Sequence, residues 1–352
     1  MTVTKEKILD VLKKVKDPGL KKDLVSLGMV KDVEIAGSAV RVTIALTMSG
    51  CPMKNQIKDD VEKAVRNLED VSDARVILTT MTSEERARLL GAEPSEMQGI
   101  EKVKHIIAIA SGKGGVGKST VTVNLAIALL KKGFKVGVLD ADMHGPDIPI
   151  MLGIDERPLG SRGMLLPIEK FGLKVVSTAT LAGEGVPIVW RGPLVNKAIK
   201  EFLGHVEWGE LDFLLVDLPP GTGDAPLTMA KFISLDGVII VTTPQKVALA
   251  DVRRCIGLFV AQKIPIFGIV ENMSFLRVPG VPEGQILEIF GSGGGEKIAK
   301  AFGVPLLGKV PLDQEIREGG DMGKPKSLDT DSDCSKTFDI IAEKLLKYAK
   351  SD

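Results

Sequence analysis

Cysteine is scarce in this 352-residue chain: Cys51, Cys255 and Cys334 are the whole complement, odd in number and far apart. That pattern excludes a disulfide framework and a local zinc motif, and it fits a reducing compartment. Histidine is equally rare, and His105, His144 and His205 are scattered, none at metal-ligand spacing from a cysteine. Net charge is lacking too, with 46 basic residues against 46 acidic ones, so there is no global basic footprint for nucleic acid. No apolar run is long enough to span a bilayer, and the opening MTVTKEKILD has no signal-peptide pattern. No internal repeat or low-complexity tract stands out. The expectation is a cytoplasmic protein with no membrane partner and no nucleic-acid partner.

What is present is ordinary globular material, 44% hydrophobic and 26% charged, enough for two or three domains. Residues 1–82 read as a small α+β domain. Ile8, Leu9, Leu12 and Val15 have helical spacing, and so do Ile57, Val61, Ala64, Val65 and Leu68. Val40, Val42, Ile44 and Leu46 alternate as in a half-buried strand, and DARVILTT reads as a closing strand. Residues 83–103 are charged and then loop-like, and read as a linker. From 104 to 352 short β-branched runs alternate with helical segments. The predicted strands are HIIAIA, KVGVLD, LKVVST, DFLLVD, GVIIVTT, IFGIV and VPLLGKV. Most are apolar without alternation, as in strands covered on both faces. The fold class expected is α/β: a doubly wound, mainly parallel P-loop NTPase domain preceded by the small α+β domain.

The segment Ser111–Thr120 reads SGKGGVGKST, and Gly112 to Ser119 fits G-x-x-x-x-G-K-[ST]. It follows the apolar strand HIIAIA and opens a helix carrying Val123, Leu125, Ala126 and Leu129. Such a loop needs Gly112, Gly114, Gly115 and Gly117 so that backbone N–H groups, with Val116 and Thr120 alongside, converge on phosphate oxygens at a helix N-terminus. Lys118 can reach the β- and γ-phosphates, and Ser119 can place its hydroxyl on Mg²⁺. The ligands expected are ATP and Mg²⁺. Lys113 is an extra lysine that this chemistry does not require. It is either a solvated surface residue or a cation that reaches a phosphate, across a dimer interface in the manner of an arginine finger.

Two strand ends carry acids. KVGVLDADMHGPD places Asp140 and Asp142 at one, and DFLLVDLPPGTGD places Asp217 at another. Carboxylates at the carboxyl ends of parallel strands face the crevice where ligands bind. Asp217 is the candidate Mg²⁺ partner, Asp142 the candidate for orienting the attacking water, and Gly221 and Gly223 leave the following loop free to respond to phosphate. The Gly-rich IFGSGGGEKIAKAFG lacks a Gly-Lys-Ser/Thr ending and reads as a loop and helix start.

The motifs KGGVGKST, DADMHGPDIPIMLG and VDLPPGTGD together resemble the deviant-Walker-A group that includes MinD, ParA and the nitrogenase iron protein. Within that group WRGPLV at 190–195, ENMS at 271–274, IFGSGGG at 289–295 and PLDQEIREGGDMGKP at 311–325 are similar to Mrp/ApbC-type iron–sulfur cluster carriers. DPGLKKDLVSLGMVKDV and GCPMK resemble the small domain of iron–sulfur assembly factors, so the likeness covers nearly the whole chain. The resemblance implies a homodimeric ATPase in which Lys113 reaches the partner's nucleotide and Asn272 contacts adenine. It also implies an iron–sulfur cluster as cargo, with apo client proteins or assembly factors as partners.

One departure bears on that cargo. The family usually has a Cys-x-x-Cys pair shortly after ENMS, and here Val278 and Val281 stand in those places. Valine cannot ligate iron. Cys51, just before a predicted helix from Lys54, is either a cluster ligand or reactive thiolate, its pKa lowered by the helix N-terminus, or an inert buried thiol. Cys255 reads as core, and Cys334 has no partner motif. The alternative reading is a nucleotide-switched scaffold or positioning ATPase like MinD or ParA, without a cluster.

Overall fold

The computed structural model describes residues 3–18, 22–47, 53–68, 70–81, 85, 99–143, 145–161, 164–178, 204–222, 226, 235–278 and 286–349. The chain divides into two compact units, Met1–Pro94 and Ser95–Lys350.

In the first unit, β1 (Val30–Ala36), β2 (Ala39–Leu46) and β3 (Asp73–Thr80) form a sheet in that order, β1 antiparallel and β3 parallel to β2. Helices α1 (Lys5–Leu12) and α2 (Lys54–Arg66) complete it. Ile8, Leu12, Val40, Val42, Ile44, Ile57, Val61 and Val65 share one buried core, as their spacing predicts. Val15 is buried just past the end of α1. The strand β1 is the element that periodicity misses: only Val33 of its seven residues is buried, so it carries almost no apolar signal. Its pairing with β2 across the Gly37 turn, where φ is +63°, places it.

The second unit is built on an eight-stranded sheet. Its strands are β4 (Val103–Ser111), β5 (Val136–Asp140), β8 (Ile168–Lys170), β9 (Leu173–Ser177), β10 (Leu211–Asp217), β11 (Gly237–Thr242), β12 (Ile266–Glu271) and β15 (Leu306–Lys309). Two short ribbons lie outside it, β6 (Gly160–Ser161) with β7 (Met164–Leu165), and β13 (Leu276–Arg277) with β14 (Ile286–Leu287). The sheet order is β15-β12-β11-β4-β10-β5-β9-β8, parallel except for β8, which runs antiparallel at the edge. All seven predicted strands lie in it. β4 begins at Val103, within the span read as linker, and Ile100 just before it is buried.

Among the described residues, the α-helices of this unit are α3 (Lys118–Lys131), α4 (Ile148–Leu152), α5 (Lys246–Ala261), α6 (Gly294–Phe302), α7 (Gln314–Asp321) and α8 (Asp333–Ala349). α3 is buried along most of its length, which explains why it shows no amphipathic stripe. It shares one core with β4 and β5 on the sheet and with Phe338, Ile341 and Leu345 of α8. Polar ties join α3 to the C-terminal segment. The Asn124 Oδ1 accepts from the Ser327 amide at 3.0 Å, and the Lys131 ammonium donates to the Ser335 hydroxyl. The central β4 has β10 on one side and β11 on the other, so the loop leaving it opens where successive connections turn to opposite halves of the sheet. That switch point is where such sheets bind ligands.

Candidate nucleotide site

β4 ends at Ser111, and the loop 112–117 leads straight into α3. Gly115 and Gly117 have φ of +76° and +79°, a region that favours glycine. Gly112 is needed for a different reason: a Cβ there would lie 2.4 Å from the backbone carbon of Asp251 on α5. Gly117 is the N-cap of α3 and has no side chain to offer, so side-chain capping leaves the first amides of the helix unmatched. Ser111 closes the base of the loop, its hydroxyl donating to the Lys113 carbonyl at 2.9 Å.

Asp217 is the hub beneath this loop. It ends β10, in register with Asp140 on β5, and is fully buried. Its Oδ2 accepts from the Lys118 ammonium at 2.8 Å and from the Ser119 hydroxyl at 2.7 Å. Its Oδ1 accepts from the Thr122 hydroxyl at 2.8 Å. Lys118 is itself buried and lies 3.6 Å from Asp142 Oδ2. Asp142 also accepts from the Gly145 amide at 3.4 Å. The predicted residues Lys118, Ser119, Asp142 and Asp217 are therefore brought together from two strand ends and one helix start.

Asp140 plays a different part from its neighbour. It is fully buried, accepting from the Ser177 hydroxyl at 2.9 Å and the Asp142 amide at 3.2 Å. Burial, and then the charge of Asp217, hold its carboxyl well above the usual carboxylate range. Burial, reinforced by Asp142, also raises Asp147. Two carboxylates, Asp142 and Asp217, thus face one ammonium, and the surplus negative charge with hard oxygen donors from Ser119 and Asp217 fits a divalent cation such as Mg²⁺. Among the described residues no three His, Cys, Asp or Glu side chains converge as a metal cage. Mg²⁺ needs no such cage, since it takes one or two protein ligands and the remainder from phosphate and water.

The remaining predicted residues fall as follows. Lys113 is half-buried, and among the described residues no acid forms an ion pair with it. Asn272 has a partner the sequence did not foretell: its side-chain amide donates to the Val116 carbonyl at 2.8 Å, so it braces the phosphate loop from β12. Met273 beside it has a φ of +53°, rare for a bulky residue and a mark of a constrained segment. Glu271, immediately before Asn272, is buried, with its carboxylate accepting from the Ser274 hydroxyl and the Gly295 amide. The Gly-rich start of α6 is therefore already capped by a carboxylate of the chain itself, which agrees with reading it as a helix start. Gly221 has a φ of +96° and its amide donates to Ser111 at 2.9 Å.

Thr122, Asn272 as a brace, and Glu271 are the residues that sequence reasoning missed. A signal existed for Thr122: it lies four residues after Lys118, hence on the same face of α3. The two described cysteines, Cys255 and Cys334, are buried, and burial pushes both thiols up to about 12. Val278 is half-buried after β13. Cys51, Val281, Gly223, His144 and the WRGPLV segment lie outside the described residues.

Residues 102–346 match the model of the ParA family described as NUBPL iron-transfer P-loop NTPase, and residues 5–77 match that of an iron-sulfur cluster assembly protein. The chain belongs to the NUBPL-type iron-transfer P-loop NTPases. Relatives in this family include the iron-sulfur cluster carrier protein of Synechocystis, 45% identical over 351 residues and covering 97% of both chains. That of Pyrococcus horikoshii is 47% identical over 276 residues, 74% of this chain and 93% of its own. Among solved structures, the nucleotide-binding protein of Archaeoglobus fulgidus in complex with ADP is 36% identical with a TM-score of 0.61, covering 73% of this chain and 98% of its own. The cell division ATPase MinD of Pyrococcus furiosus is 25% identical with a TM-score of 0.51, covering 69% and 99%. The family likeness and the geometry agree on a P-loop ATPase. Among the described residues no helix is long and apolar enough to cross a membrane.

Proposed function

We propose that this protein is a cytoplasmic ATP-hydrolysing homodimer that binds iron–sulfur clusters and passes them to apoproteins. The observation that carries the ATPase half is the convergence of Lys118, Ser119 and Thr122 on Asp217 beneath a glycine loop at the sheet's switch point. Phosphate oxygens compete with Asp217 for the Lys118 ammonium, so binding ATP turns that cation from the carboxylate to the γ-phosphate side. Ser119 and Asp217 are the residues that hold Mg²⁺, which when bound neutralises phosphate charge. Asp142, 3.6 Å from the Lys118 ammonium, orients the attacking water. Lys113, with no acid of its own among the described residues, serves the partner subunit's phosphates. Asn272 keeps the loop shaped through Val116, and contact with adenine is left to its other amide face.

The cargo half is supported by the names of the relatives, iron-sulfur cluster carrier proteins over nearly the full chain. Valines at 278 and 281 leave Cys51 as the ligand candidate, because Cys255 and Cys334 are buried with raised pKa values. Those same valines favour a second reading, a MinD-like nucleotide switch without cargo. Anaerobic reconstitution of wild type and Cys51→Ala, followed by desalting and counting of iron and sulfide, separates the two. A carrier that uses Cys51 as ligand requires a labile cluster on wild type that is lost from Cys51→Ala. No cluster on either protein favours the switch, and a robust cluster on Cys51→Ala sinks the ligand assignment.

A further inference from the structure

We infer that Thr122 is a positioning residue for the Mg²⁺-binding carboxylate, the one side-chain donor to Asp217 among the described residues that stays in place when nucleotide binds; the inference rests on the P-loop ATPase reading above. The Thr122 hydroxyl has two acceptors in reach, the Lys118 carbonyl one turn earlier at 3.1 Å and Asp217 Oδ1 at 2.8 Å. A hydroxyl carries one proton. The ionised acceptor at the shorter distance takes it, because a charge-assisted bond is the stronger one. Thr122 is fully buried on α3, a helix clamped between the sheet and α8.

The three donors on Asp217 are not equivalent. Lys118 and Ser119 both bind Oδ2, on the loop side, and both have duties toward phosphate or metal. When they turn to those duties, Asp217 loses its ammonium and its serine donor together. A fully buried carboxylate stripped of donors is costly and free to rotate. Thr122 binds the other oxygen, Oδ1, and is too deep to serve a ligand of the loop. Its bond fixes the carboxylate plane so that Oδ2 keeps facing Ser119 in both states. An ordinary helix threonine bonding only its i−4 carbonyl would have no such role.

The test is a Mg²⁺ titration of fluorescent ATP-analogue binding on wild type, Thr122→Val and Thr122→Ser, with binding at zero Mg²⁺ and nucleotide-free melting measured alongside. Thr122→Val keeps the shape and removes the donor. It should raise the Mg²⁺ concentration for half-maximal binding about tenfold, the scale of one hydrogen bond to a charged group. Metal-free affinity should stay within about twofold of wild type, and Thr122→Ser should restore the wild-type midpoint. Thr122→Cys, a weak donor, decides the matter if the valine variant does not fold, and its midpoint should lie above wild type. A Mg²⁺ midpoint unchanged in the valine or cysteine variant, or an equal loss of metal-free and metal-dependent binding, overturns the inference. Wild type whose nucleotide binding ignores Mg²⁺ overturns the underlying reading instead.

Discussion

Replacing Gly117 by alanine would put a methyl group 2.2 Å from the Asn272 Nδ2, in a residue whose φ is +79°. The left-handed conformation costs a non-glycine residue about 1–2 kcal/mol. The close atom is the tip of a side chain, so Asn272 can swing away, but it then gives up its bond to the Val116 carbonyl. Val116 is buried, and leaving its acceptor unmatched costs about 1–3 kcal/mol. Gly117→Ala should therefore lose about 2–5 kcal/mol. At roughly 2–4 °C per kcal/mol for a unit of this size, the melting point should fall by about 4–20 °C. The assay is thermal melting of Gly117→Ala, Asn272→Ala and the double variant, with nucleotide binding alongside. With Asn272 already shortened, the alanine at 117 meets no clash, and its added cost shrinks to the backbone strain. The double variant should thus be less destabilised than the sum by about 1–3 kcal/mol, the Val116 cost that both single variants carry. A wild-type melting point for Gly117→Ala, or strict additivity, would refute the bracing of the loop by Asn272.

Lys118→Ala should abolish ATP turnover and also lower stability by about 3–5 kcal/mol, because it strands the buried Asp217 carboxylate. Adding Asp217→Asn should recover much of that stability without activity, and melting curves of the pair check it. Asp142→Asn should bind nucleotide with near wild-type affinity yet turn over slowly, and normal turnover would remove Asp142 from the water-orienting role. Lys113→Ala should keep nucleotide binding and lose hydrolysis, and in wild type specific activity should rise with protein concentration across the dimerisation range. Burial and pKa values of about 12 predict that Cys255 and Cys334 resist a thiol reagent at pH 8 in the native protein. No more than one thiol per chain should then react quickly, against three in denaturant; rapid labelling of two would contradict their burial.

The sequence by itself determined the elements whose signals are local. Most of the seven predicted strands of the second unit are apolar without alternation, and such runs are stable only when covered on both faces, so the layered α/β class follows from them. The loop Gly112–Ser119 was legible because its demands on φ, on space and on charge are each met by a residue type within eight positions. Strand-end Asp142 and Asp217 followed from the rule that parallel strands deliver their carboxyl ends to one crevice. Other features depended on residues far apart in the chain. The exposed β1 was placed by its pairing with β2, not by periodicity. Asp140 and Asp142 look alike in DAD, yet the sheet buries the first against Ser177 and Asp217 and turns the second toward Lys118. Asn272 reaches Val116 across 156 positions, and Thr122 reaches Asp217 across 95. Hydrogen bonds of that span are set by where the sheet order places β10 and β12 relative to the loop after β4, and only the tertiary structure decides that.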